Sequence, residues 1–396
     1  MSLGLIDVVG MLIPIISMPI ISRALGIELY GQYLLFMTTI SFGHTMIDYG
    51  VQYTGVRAAS KLIGNREKLA STYADYQGLR LILAVLYYIA ASVYVIHSFE
   101  SFQLVIPLGL YILGYVFTST WFFQATGLSK FLSFAALSNK LVLILILIFY
   151  VKEESDFLLL TISTTLPVLI TSLFLLSIVK KRFKAQLFSF RNAKKLIIQG
   201  KDIFIGILAP NLYNAIPIMV LGNISDKLEF AEFAISLKVC GVIFLLQNVL
   251  SKSVYPILSR QKGTNLKSTL LLNLIITIPN ALILFFWGKG MISMLLGIEM
   301  LSGFYVKVIS ASMIFVACSQ AFSVGYFLPN NLDVEYRNIS LRASLISFPI
   351  MSFLIYQYSV TGGVLGLLNA RLIILIHYVY FYRNEVKKDE KNSKKK

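Results

Sequence analysis

Apolar runs separated by short breaks holding charges, Gly or Asn recur from one end of the chain to the other. A helix needs about 20 mostly apolar residues to cross a hydrocarbon core of about 30 Å, and these runs match that length. They are too long and too rich in Leu and Ile for alternating barrel strands. The pattern predicts an all-α integral membrane protein with twelve transmembrane helices. The expected spans are Leu5 to Leu25, Gly31 to Val56, Tyr73 to Ile96, Gln103 to Gln124, Leu132 to Tyr150 and Phe157 to Val179, then Leu196 to Leu221, Phe230 to Val254, Ser268 to Trp287, Phe304 to Phe327, Ile339 to Tyr356 and Gly362 to Tyr382. Composition agrees: 57% of the 396 residues are hydrophobic and only 14% charged, against about 25% in soluble domains. The loops left over are too short for a large catalytic domain outside the membrane.

The net charge of +16 reports orientation first. With residue 1 in the cytoplasm, 26 of the 35 Lys and Arg fall in cytoplasmic segments and four outside, at Arg23, Lys152, Lys227 and Lys289. Such short-loop asymmetry is the positive-inside pattern, so both termini are expected in the cytoplasm. No nucleic-acid partner is needed to explain the charge. The first apolar run reads as a helix and not as a secretory leader, because it lacks a basic start and Ser22, Arg23 and Ala24 make a poor cleavage site.

The expected organisation is an N-terminal six-helix lobe at 1–180, a basic cytoplasmic linker at 181–195, a C-terminal six-helix lobe at 196–382 and a basic cytoplasmic tail at 383–396. Even span counts insert both lobes the same way, as parallel repeats related by a pseudo-twofold axis along the membrane normal do. Pro14 precedes Gly26 by the same interval as Pro210 precedes Gly222, with Pro19 and Pro217 between, so helices 1 and 7 read as counterparts. Paired interruptions in corresponding helices point to a transport site, although prolines are also simply common in membrane helices.

With Arg23, Lys201, Lys252 and Arg342, near span ends, counted in the segments they adjoin, five basic residues remain inside spans: Arg80, Lys140, Lys238, Lys307 and Arg371. Lys140, Lys238 and Arg371 lie near the midplane, where insertion costs about 2.5–3.5 kcal/mol each, so they are expected to face a cavity, a partner or water. Lys307 is placed to snorkel, and Arg80 either to snorkel or to pair with Asp75. Asp48 is the one carboxylate well inside a span; it could pair with a lysine or carry a coupling ion. With Arg23 and Arg57 toward the two mouths, the excess of cations suits an anionic cargo. A negative-inside potential, worth about 2.3 kcal/mol per charge per 100 mV, favours its export.

No enzyme site emerges. His44, His97 and His377 are scattered, Cys240 and Cys318 read as buried hydrophobes, and there is no phosphate-cradling GxxxxGK[ST]. No cofactor is expected, and coupling to H+ or Na+ stays open.

Several short pieces resemble the Wzx-type polysaccharide flippases, in the superfamily that also holds multidrug and lipid II exporters. They are Ser22 to Gly26, Tyr30 to Tyr33, Asp48 to Val51, Gly55 to Arg57, Trp121 to Gln124, Asn139-Lys140, Ala234 to Lys238 and Tyr255-Pro256. The resemblance implies a bacterial inner-membrane flippase that moves an undecaprenyl-diphosphate-linked oligosaccharide, an O-antigen or similar repeat unit, to the periplasmic leaflet by alternating access through a cationic central cavity. Its implied surroundings are membrane lipids, a polysaccharide polymerase and chain-length machinery. The family's lumen cations map onto Arg23, Lys140 and Lys238, to which the midplane argument adds Arg371 and the mouth argument Arg57. Asn211, Asn214, Gln247 and Asn248 would contact sugar hydroxyls or join helices, and Tyr33, Tyr49 and Tyr213 would stack on sugar rings or pack. A cation-coupled drug exporter of the same fold, which would place carboxylates in the lumen, and a membrane glycan polymerase are the competing readings.

Overall fold

The structure is a computed structural model and describes residues 2–258, 266–297, 299–327, 329–330 and 332–393, with side chains described for 16–247, 266–297, 299–327, 329–330, 332 and 334–384. All regular elements among the described residues are helical. Eight helical stretches among them are long and apolar enough to cross a membrane. The chain forms two compact units, 1–208 and 209–396.

The N-terminal unit holds α1 (Ser2–Asp48), α2 (Val51–Ser60), α3 (Arg66–Phe99), α4 (Val105–Thr118), α5 (Thr120–Ala125), α6 (Ser129–Phe149), α7 (Phe157–Phe183) and α8 (Ala193–Leu208). Its core is built by α4 against α7, with α1 and α6 beside them and α3 on the other side. α3 shows why the unit belongs in lipid. Arg80 and Gln77 are buried, at 2% and 0% exposure, while Leu86, Ile89 and Val93 on the opposite face are 58–67% exposed. A face of that kind is costly in water and is solvated by acyl chains.

One break in this unit falls between two expected spans, and two further breaks fall inside expected spans. Gly26 leaves the helical region at φ 73°, dividing α1 into two helices. Tyr49 and Gly50 both take positive φ, which ends α1 and starts α2, so 31–56 is not one helix. Ser119, also at positive φ, separates α4 from α5 within the expected 103–124 span. Neither glycine nor proline marks that last break. The Ser119 hydroxyl serves it: Oγ donates to the Val116 and Phe117 carbonyls at 3.3 and 3.2 Å and lies 3.2 Å from the Tyr73 hydroxyl on α3.

The basic segment expected as a linker is docked. Ser189 N donates to the Ala74 carbonyl at 2.9 Å, Ser189 Oγ to Asp75 Oδ1 at 2.6 Å and Asn192 Nδ2 to Asp75 Oδ2 at 2.7 Å. Gly78 admits this contact, since a Cβ there would stand 2.0 Å from the Ser189 carbonyl oxygen. With the segment fixed on α3, α8 packs against α1, α2 and α3, and the two compact units divide after Leu208.

The C-terminal unit holds α9 (Asn211–Asn214), α10 (Ile216–Ile224), α11 (Lys227–Leu258), α12 (Leu266–Leu296), α13 (Phe304–Phe322) and α14 (Asp333–Ser393). α13 is its central helix, packed on α11, α12 and α14. It runs into a π-helical turn at Ser323–Phe327. α14 is two helices meeting at Ser359, which sits outside the helical region at φ 48°. The expected span 196–221 is split into α8, α9 and α10: Pro210 stands at the N-cap of α9 and Pro217 near the start of α10, where a missing N–H costs nothing. α1, by contrast, stays helical through Pro14 and Pro19, so the proline pairs of helices 1 and 7 do not produce the same break.

Candidate functional site

The C-terminal unit contains a cavity of about 410 Å3 with one cation in its wall, Arg371 of α14. Arg371 is half-buried and donates from Nη1 to Ser312 Oγ at 2.5 Å. Ser312, 1% exposed, passes its own proton to the Ile309 carbonyl at 2.6 Å. That relay leaves the Ser312 oxygen a fixed acceptor and holds the guanidinium in place.

Around it stand three tyrosines, Tyr213, Tyr336 and Tyr378, with Asn214, Gln320 and a run of serines. Tyr378 is 5% exposed and is braced by Phe322 at 6.2 Å and Phe327 at 5.5 Å between ring centroids. Asn214 is anchored by a bond from Nδ2 to the Pro210 carbonyl at 3.0 Å. Ser319 Oγ is buried with no hydrogen-bond partner among the described residues. Ser323, another lining residue, opens the π-helical turn, a local feature often found at functional sites. Among the described residues, no Asp or Glu lines the cavity. Beyond Tyr213 and Asn214, an apolar compartment of about 140 Å3 continues past Pro217, Phe233 and Met351. The arrangement offers a cation, aromatic faces and hydroxyl and amide groups, which suit an anionic or polyhydroxylated ligand. Its size lies in the usual range of about 300–1,000 Å3 for small-molecule pockets.

Of the residues singled out from the sequence, Arg371, Asn214 and Tyr213 are brought together here. Lys238 is exposed on α11 between the lining residues Leu237 and Gly241 and does not itself line the cavity. Asn211 is half-buried on α9. Gln247 is fully buried and donates from Nε2 to Thr277 Oγ1 on α12 at 2.6 Å, a bond between helices. The side chains of Asn248 and Tyr255-Pro256 lie outside the described residues.

The others belong to the N-terminal unit. Arg23 is exposed on α1 just before the Gly26 break, and Arg57 is exposed in the last turn of α2. Lys140 is half-buried in α6 beside Asn139, whose Oδ1 accepts from Thr171 Oγ1 on α7 at 2.9 Å. Asp48 accepts from Gln52 N at 3.1 Å and so serves the turn between α1 and α2. Tyr49 stacks on Phe204 of α8 at 4.2 Å, and Tyr33 packs against Tyr30. Arg80 neither snorkels nor pairs with Asp75. It is buried, donating to Gln77 Oε1 and to the Val116 and Tyr115 carbonyls at 2.8–3.0 Å. The break at Ser119 strips those last carbonyls of α4 of helical partners, and Arg80 replaces them. Lys307 is exposed one turn into α13. Among the described residues no group of three His, Cys, Asp or Glu could hold a metal.

The reading of single charges missed Tyr336, Tyr378, Gln320 and Ser319. A signal existed: Arg371, Ile374 and Tyr378 follow i, i+3, i+7 on α14, and Met313, Val316 and Gln320 do so on α13, each marking one lining face.

These features define a multi-pass α-helical membrane protein with a polar cavity inside a helical unit. Solved structures share its fold. An inward-facing multidrug resistance MATE family transporter of the MOP superfamily superposes with TM-score 0.73 at 14% identity, covering 97% of this chain and 96% of that one. The lipid II flippase MurJ, in an inward closed conformation, gives TM-score 0.74 at 14% identity, covering 96% and 87%. In sequence, the chain is similar to the provisionally named O-antigen transporters of Escherichia coli (strain K12), 21% identical over 94% of this chain and 93% of that protein, and of Shigella dysenteriae, 21% identical over 92% and 94%. The polysaccharide biosynthesis protein family model matches residues 1–262, and the chain belongs to that family.

Proposed function

We propose that the protein is a flippase for lipid-linked glycan. It moves an undecaprenyl-diphosphate-linked oligosaccharide, the repeat unit of O-antigen or a similar surface polysaccharide, from the cytoplasmic to the periplasmic leaflet of the bacterial inner membrane by alternating access. The proposal includes twelve crossings with both termini in the cytoplasm.

The observation that carries this reading is the Arg371 cavity, where one guanidinium stands among tyrosines, amides and hydroxyls with no carboxylate in the wall among the described residues. Guanidinium binds phosphate or carboxylate through paired N–H donors, and tyrosine rings offer flat apolar faces with a polar edge for sugars. A cavity for organic cations would need acidic residues instead, so the lining favours an anionic glycan over a drug cation. Lys140, Lys238, Arg23 and Arg57 would add attraction along the path, and the prenyl tail would remain in lipid. Family membership and full-length relatives named as O-antigen transporters support the same reading over a polymerase.

The test is reconstitution. Vesicles containing the purified protein should expose a fluorescent undecaprenyl-diphosphate oligosaccharide to an external quencher far faster than empty vesicles, and should not export a lipophilic cationic dye. Dye export without glycan movement would replace the flippase by the drug exporter.

A further inference from the structure

At the end of the N-terminal unit where α7 finishes lies a second cavity, of about 260 Å3. Its wall is formed by the turn before α3 with the first turn of α3, by the turn between α5 and α6, and by the last turn of α7. Among the described residues, two guanidinium groups line it, Arg66 and Arg182, and no carboxylate does. Both arginines are exposed. Arg66 reaches across to α7, donating from Nη2 to the Lys181 carbonyl at 3.4 Å. That single long bond leaves the rest of its five-donor fork uncommitted among the described residues. Arg66 is also the first residue of a 34-residue helix, whose N-terminal N–H groups add positive potential. Asn65 caps only Lys68 N with its side chain, at 3.0 Å.

The remaining wall is apolar. Leu69 and Leu128 are 4% and 8% exposed and form the floor, while Ile63 stands at the mouth, 65% exposed. Two like charges sharing a cavity without an acid repel each other, and an anion between them removes that repulsion. An exposed isoleucine beside them matches acyl chain rather than water. Basic pockets among membrane helices with this combination recognise anionic headgroups.

We propose that this cavity binds a phosphate-bearing ligand between Arg66 and Arg182, and that its source is the headgroup of an anionic phospholipid in the adjoining leaflet. Bound there, the lipid ties together the starts and ends of α3, α6 and α7.

The experiment uses the full chain in nanodiscs and reads thermal unfolding, with bound lipid counted by native mass spectrometry. Wild type should unfold at a higher temperature, and retain more phospholipid, in phosphatidylcholine mixed with phosphatidylglycerol than in phosphatidylcholine alone. Arg66→Gln/Arg182→Gln should lose most of that increment. Lys194→Gln/Lys195→Gln, which removes equal charge from the exposed start of α8, should keep it. Retention of phosphatidylglycerol should fall roughly tenfold or more in the arginine variant, which loses both of the contacts to the headgroup. Inorganic phosphate titrated in detergent separates the sources. If it reproduces the increment in wild type but not in the arginine variant, the site stands and its ligand is free phosphate. If the arginine and lysine variants lose the increment equally, the effect is diffuse surface charge and the site is refuted. Should the double variant fold poorly, Arg182→Gln alone must show a partial loss, and a wild-type response from it refutes the site as well. No transport is measured, so this outcome is independent of the flippase reading.

Discussion

Arg80 Nη1 donates to the Val116 carbonyl at 2.8 Å, joining the middle of α3 to the broken end of α4. A buried charge is here satisfied by peptide oxygens freed by a helix break, with no carboxylate in the hydrogen-bond set. Arg80→Met should therefore destabilise the protein by about 1–3 kcal/mol for each buried group left without a partner. Arg80→Lys should fall between, since an ammonium cannot span both carbonyls as the fork does. Thermal unfolding in detergent checks the ranking, and wild-type stability of the Met variant would contradict it.

Gln247→Leu should leave glycan movement intact. Its amide bridges α11 and α12 in a fully buried position, and hydrogen bonds between membrane helices average about 0.6 kcal/mol. A small drop in melting temperature with unchanged flipping is the expected pair of results.

Lys140→Ala and Lys238→Ala should each abolish surface glycan while protein level stays unchanged. Normal glycan in both variants would remove these lysines from the path and leave Arg371 to act alone.

Reporter fusions test the crossings. A reporter after Lys184 should read cytoplasmic and one at Glu153 periplasmic, because α7 (Phe157–Phe183) lies between them with its basic last turn at Lys180–Arg182. The opposite pair of readings would overturn the twelve-crossing arrangement.

The membrane character and helical class were legible because a bilayer imposes one simple rule on every span, about 20 apolar residues. Arg371 was legible for the related reason that a charge in such a run is costly. The breaks divide into two kinds. Pro210 and Pro217 announce the splitting of helix 7 locally, by removing N–H groups. Neither glycine nor proline marks the turn at Ser119, whose hydroxyl bonds both the nearby Val116 and Phe117 carbonyls and Tyr73, 46 residues away in sequence. Arg80 was misread for that reason: the acceptors that satisfy it exist only because α4 stops there. The companions of Arg371 were hidden differently. Tyr336 and Tyr378 look like packing aromatics, and only their placement around one cavity distinguishes them.

The most direct test of the central claim is the flipping rate of Arg371→Gln in reconstituted vesicles. Glutamine keeps a polar amide while removing the charge. Charge-assisted hydrogen bonds contribute about 1.5–3 kcal/mol, so the account predicts a roughly tenfold to hundredfold slower rate at limiting substrate. A rate equal to wild type would show that the cavity does not handle the anionic cargo.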